Sequence, residues 1–135
     1  MSGLILKLGP RERVMINGVV LENGDRRTRL SVVTADAKIL RLKDAIHPSE
    51  AKTPVKRVCY IAQLLIAGEI DTAQAKRDLQ VGIGQLGQVF TDVPSLSALD
   101  TAKVELSRDN YYHTLKALRQ LIQVEDQLLA LAKTQ

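Results

Sequence analysis

The sequence predicts an α+β protein: a small antiparallel β meander or barrel in a basic β-rich region over residues 1–50, followed by about four helices over residues 51–135. Two observations carry this reading. Before residue 50 the apolar residues fall in short runs at a period of two, punctuated by Gly-Pro and Asn-Gly. After Thr53-Pro54 their spacing changes to three and four, the period of a helix with one buried face. No parallel sheet is expected in the front, because each parallel crossover needs a dozen or more residues and there is no room for crossover helices before residue 50.

The elements follow in order. Leu4, Leu6 and Leu8 alternate with Ile5 and Lys7, placing three leucines on one face of a first strand. Residues 9–12 are a turn signal, and a short strand over 13–16 comes next. Asn17-Gly18 and Asn23-Gly24 each offer the two positive-φ positions of a type I′ turn, so a very short strand over 19–22 is expected between them. Longer strands are expected over 26–33 and 37–42, with residues 44–52 as the joint to the helical region. There Thr53 is a helix cap and Pro54 a first helical residue. Val58, Ile61, Ala62 and Leu65 share a face, and Gly68 is a stop. Asp71 caps the second helix, with Gln74 three residues on. Its apolar series of Ala75, Leu79, Ile83, Leu86 and Phe90 is interrupted by Gly82, Gly84 and Gly87, each costing about 1 kcal/mol relative to Ala in a helix interior. Either this segment packs closely on another backbone or it is partly non-helical. Pro94 reads as a break before a short helix over 96–106. The last helix runs from 109–110 to about 132, with Leu115, Leu118, Ile122 and Leu129 in a stripe that Leu121 and Leu128 widen.

Composition sets the function classes. With one Phe and no Trp, a core must come from Leu, Ile and Val. The longest apolar stretch, residues 58–68, contains Gln63 and is far below the roughly 20 residues of a membrane span. The start lacks the basic segment of a secretion signal, and Cys59, the only cysteine, forms no internal disulfide, so the cytoplasm is the expected compartment. His47, His113 and Cys59 have no metal-ligand spacing. The stretch 82–87, GIGQLG, has the letters of a dinucleotide fingerprint without its preceding strand. No enzyme, metal or cofactor is expected.

Charge is more informative. Residues 1–57 hold twelve Lys/Arg against six Asp/Glu, while residues 58–135 hold seven against nine. The basic excess therefore sits in the front, where a polyanion is the expected partner. Arg11 and Arg13 flank the first turn, Arg26, Arg27 and Arg29 crowd one strand, and Lys38, Arg41 and Lys43 populate the next. They form either one positive patch for phosphates or a solvated face. No aromatic residue lies between residues 1 and 57, so RNA binding there relies on backbone contacts or recruits a helical surface. Lys56 and Arg57 stand in the first turn of a helix, where cations oppose the dipole. With free amides beside them they either make a phosphate pocket or reach into solvent. Tyr111 and Tyr112 point different ways from the last helix; one packs inward and the other is a candidate protein-partner surface. The breadth of that helix's stripe also permits a homo-oligomer.

The chain resembles the FlbT family of flagellar regulators of alphaproteobacteria. The likeness covers nearly its whole length and rests on KLGPRERVMINGVVLENGDRR (7–27), LRLKDAI (40–46), TPVKRVCY (53–60) and YYHTLKALRQLI (111–122), with Glu125 and the leucines after it. The resemblance implies a post-transcriptional regulator that binds the 5′ untranslated region of flagellin mRNA and lowers its translation and stability. A FlaF-like protein is then implied in the same circuit. The phosphate-contact candidates are Arg11, Arg13, Arg26, Arg27, Arg29, Lys56 and Arg57. The alternative is a protein–protein adaptor in flagellum biogenesis that reaches RNA only through a partner.

Overall fold

A computed structural model describes residues 4–34 and 37–133, so the outer ends of both predicted regions lie outside the described residues. Five strands precede four helices: β1 (Leu4–Leu8), β2 (Arg13–Ile16), β3 (Val19–Glu22), β4 (Thr28–Val32), β5 (Ile39–Arg41), α1 (Pro54–Ala67), α2 (Thr72–Val89), α3 (Val93–Ser107) and α4 (Tyr111–Lys133). Short 3-10 turns at Leu42–Asp44 and Pro48–Glu50 fill the joint.

The class is α+β with antiparallel strands, but the strand order is neither a meander nor a closed barrel. One sheet has the order β3-β2-β5, and β1 pairs with β4 in a second. The two Asn-Gly pairs explain the departure. Asn17 (φ 51°) and Gly18 (φ 84°) are both left-handed, as a type I′ turn demands, and they close the β2–β3 hairpin. Asn23-Gly24 makes no hairpin. The Asn23 side-chain amide instead donates to the Gly9 carbonyl at 2.7 Å and the Arg26 carbonyl at 2.9 Å, while its oxygen accepts from the Thr28 hydroxyl at 2.9 Å. These bonds tie the β1–β2 turn to the segment leading into β4 and steer that strand onto β1. Asn23→Ala removes all three and is expected to cost about 1–3 kcal/mol, read as a fall in the urea midpoint.

Period two explains how the layers meet. In β5 the adjacent residues Ile39 and Leu40 are both buried, on opposite faces. Ile39 joins Leu6, Leu8 and Val14 in a small cluster between the sheets, and Leu40 joins the helical core, with Met15 packed against it. The three-stranded sheet is therefore the middle layer, with β1–β4 on one side and helices on the other. Leu65, Leu79, Leu106, Leu118 and Leu121 anchor the helical core, each contributing about 1.5–3 kcal/mol by burial.

Caps set the helix ends. The Thr53 hydroxyl accepts from the Lys56 amide, and Gly68 ends α1 at φ 76°. Asp71 and Asp92 accept from the amides of Gln74 and Ser95. Pro94 is no break: it lies in the first turn of α3, where its missing N–H is not needed, so that helix starts at Val93. α2 is helical through all three glycines, but only one has a packing reason. A Cβ on Gly82 meets Cγ2 of Val58 on α1 at 2.8 Å, whereas Gly84 and Gly87 face open space. Gly84→Ala and Gly87→Ala are therefore expected to raise stability by up to about 1 kcal/mol each, and Gly82→Ala to lower it. Thermal melts of the three variants check this.

Candidate functional site

The basic face is built from strand alternation. Since Leu4, Leu6 and Leu8 turn inward, Ile5 and Lys7 turn out. The β1–β4 register then sets Lys7 directly opposite Arg29, with Ile5 opposite Ser31. Cross-strand partners have Cβ atoms about 4.5–5.5 Å apart, and like charges so placed repel. Among the described residues neither makes an ion pair, nor do Arg27 and Lys116. Two adjoining clefts share these groups. One, of about 520 Å³, is lined by Lys7, Arg27, Arg29, Arg41, Lys43 and Glu12. The other, of about 480 Å³, is lined by Ile5, Lys7, Arg29, Arg41, Tyr112 and Lys116. Arg119 extends the face along α4, where its guanidinium donates to the Asp44 carbonyl at 2.7 Å.

Glu12 is the pin of this surface. It accepts from the Gly9 amide at 3.0 Å and from both Nε and Nη2 of Arg41, at 2.7 and 2.9 Å. The hydrogen bond from Arg41 is the main reason its carboxyl is lowered from 4.5 to about 2, with the Gly9 amide, Arg41 charge and Lys43 acting in the same direction against desolvation. The guanidinium is pushed up in turn, by Glu12 first and by the Tyr112 hydroxyl as well. A carboxyl held below its unfolded value stabilises the fold fully above about pH 4.5, and that contribution is lost as pH falls toward 2. Glu12→Gln should flatten the stability profile in that window, at a cost near neutral pH of about 1–3 kcal/mol. Urea melts across pH 2–7 read both effects.

The expected phosphate contacts divide. Arg27 and Arg29 come together with Lys7, Arg41 and Lys43. Arg26 is exposed beside them but lines neither cleft. Arg11 bonds Asp25 at 2.6 Å and Arg13 bonds Glu22 at 2.9 Å, so both are neutralised where they stand. Lys56 and Arg57 lie apart on α1, Lys56 at 4.0 Å from Asp126 and Arg57 beside a groove between α1 and α2. At the α1 N-terminus two amides of the first turn are already taken. The buried carboxylate of Glu125 accepts from the Val55 amide at 2.9 Å, and Thr53 takes the Lys56 amide. Both tyrosines are half-buried. Tyr111 packs on the helical core with its hydroxyl on Asp109, and Tyr112 packs on the strand cluster.

Lys7, Lys116, Arg119 and Glu125 are the residues that sequence reasoning passed over. Tyr112, Lys116 and Arg119 are spaced by four and three on α4, and that shared face was the available signal. Elsewhere the chemistry is quiet. Burial pushes the Cys59 thiol up to about 12, which leaves it unreactive, and GIGQLG lies inside α2. Among the described residues no helix is long and apolar enough to cross a membrane.

Fold and face together define a small α+β protein that displays a cationic surface at the seam between its sheets and its last helix, in which Lys7, Arg27, Arg29 and Lys116 have no ion pair among the described residues. The family model described as flagellar protein FlbT matches residues 4–129. The flagellum biosynthesis repressor protein FlbT of Caulobacter vibrioides is 30% identical over 127 residues, covering 93% of this chain and 89% of that one. A protein named probable flagellum biosynthesis repressor protein FlbT, from Rhodopseudomonas palustris, is 33% identical over 128 residues, covering 94% and 98%. The chain belongs to the FlbT family. No solved structure matches it.

Proposed function

We propose that this chain regulates flagellin synthesis in the cytoplasm by binding the 5′ untranslated region of flagellin mRNA, lowering its translation and stability. The observation that carries this is the Lys7–Arg29 pair: two cations set face to face, neither of them ion-paired among the described residues. Such a pair costs folding energy and is relieved by a bound polyanion. Phosphate contacts come from Lys7, Arg27, Arg29, Lys43 and Lys116, with Arg41 held as part of the frame by Glu12. Of the residues expected from sequence, Arg26 borders this set, while Arg11, Arg13, Lys56 and Arg57 drop to secondary roles.

Titration of a fluorescent flagellin leader RNA with purified protein across a salt series tests the reading. Each single-strand phosphate contact contributes about −0.7 to the slope of log K against log salt, so five contacts predict a slope near −3.5. A flat salt dependence would reject direct binding.

A second reading, the adaptor that reaches RNA through a protein, has one observation in its favour. The last two turns of α4 expose Leu128 and Leu129, close in sequence to the last buried residue, Glu125. A FlaF-like protein or a second copy of the chain is the occupant this reading requires. RNA binding that appears only once such a protein is added would favour it.

A further inference from the structure

We infer that the cleft formed by Ile5, Lys7, Arg29, Arg41, Tyr112 and Lys116 is a nucleotide pocket, in which Tyr112 holds an unpaired RNA base while the cations hold its flanking phosphates. This rests on the RNA-binding reading above and narrows it to single-stranded RNA. The front of the chain has no aromatic residue, so as a linear segment it offers phosphate contacts alone. Folding changes that. α4 packs against β5 and brings the Tyr112 ring into the basic face, where it lines one cleft with Lys7, Arg29 and Lys116. Tyr112 is half-buried: part of it packs on the strand cluster, and the rest lines the cleft. Its neighbours fix it. The ring of His113 stands edge-on at 5.5 Å, and Arg41, clamped by Glu12, lines the same cleft.

The composition of the cleft fits a nucleotide better than a bare phosphate. Ile5 and the tyrosine ring supply apolar surface for a base, and Lys7, Arg29 and Lys116 surround it with charge. The volume, about 480 Å³, lies in the range of about 300–1,000 Å³ common to small-ligand sites. A base inside a duplex is stacked on its neighbours and cannot enter, whereas an unpaired base stacks on an aromatic ring without regard to its identity. The pocket therefore selects unpaired over paired RNA and gives weak sequence preference.

Fluorescence anisotropy with a 12-nucleotide unpaired RNA and with the same sequence annealed to its complement tests this, alongside thermal melts of each variant. Wild type is expected to prefer the unpaired strand. Tyr112→Leu should weaken unpaired binding about tenfold or more while leaving duplex affinity and the salt slope in place. Tyr112→Phe keeps the ring and should bind as wild type, which separates stacking from packing. Photocrosslinking of 4-thiouridine RNA should label the peptide containing Tyr112. Should Tyr112→Leu bind unpaired RNA as wild type does, while Lys7 and Arg29 variants lose it, the nucleotide pocket falls and the phosphate-contact reading stands. If wild-type protein binds neither RNA at any salt, both fall together.

Discussion

Arg29→Glu is expected to weaken binding of flagellin leader RNA at least about tenfold and, in the same molecule, to raise the melting temperature. The two effects have one cause. Arg29 faces Lys7 across the β1–β4 ladder, so the native pair repels and its reversal attracts. Opposed charges at cross-strand positions are worth roughly 0.2–1 kcal/mol, and like charges cost a similar amount. Converting one into the other should gain about 0.5–1 kcal/mol, a rise of about 2–4 °C in a chain of this length. On the RNA side the change deletes one phosphate contact and sets a carboxylate beside the path of the backbone. The salt slope should become shallower by about 0.7 or more. A merely structural role for Arg29 predicts lower stability and an unchanged slope. The opposite-signed result marks a position where stability has been given up for binding. Arg13→Glu serves as the control. It breaks the pair with Glu22 on another strand, so it should lower stability slightly and leave RNA affinity nearly unchanged.

The Lys7–Arg29 pairing also shows what sequence could reach. Alternation alone told which way Leu6 and Lys7 face, and Thr53-Pro54, Asp71 and Gly68 placed helix ends, because caps and turns are local chemistry. Asn17-Gly18 closed its hairpin for the same reason. Asn23-Gly24 has identical letters but a different fate, since its amide found better acceptors in Gly9 and Arg26 than a hairpin would supply. That choice depends on β1, some 15 residues earlier, and no local pattern contains it. The candidate site was legible to the same degree. The basic front was plain in the charge count, but which arginines stay free depends on where Glu22, Asp25 and Glu12 land. The α4 contribution of Tyr112, Lys116 and Arg119 exists only after the last helix has packed across the strands.

Glu125 presents the same lesson as a stability prediction. A charged residue inside the apolar stripe of α4 looks like a flaw, with Leu121 before it and Leu128 after. In the fold it caps a different helix. Its Oε2 accepts the Val55 amide at the start of α1, 70 residues away, where the positive end of the helix dipole meets a carboxylate that is only 6% exposed. Lys56 and Arg57, which oppose that dipole, are thereby offset from the inside, with Asp126 assisting at the surface. Glu125→Ala should therefore cost about 2–4 kcal/mol, because it strands a buried amide and opens a cavity at once. Glu125→Met separates the two losses: it fills the space, lifts the desolvation of the charge and leaves only the amide unpaired. The other oxygen, Oε1, has no hydrogen-bond partner among the described residues, so part of the carboxylate's burial is uncompensated and the Met variant should recover more than half of the Ala loss. Urea melts of the two variants decide this, and the RNA salt slope should be unchanged in both, since Glu125 lines neither basic cleft. An Ala variant as stable as wild type would mean that the α1 start is satisfied by Thr53 and solvent alone, and that the link between the first and last helices is packing without a cap.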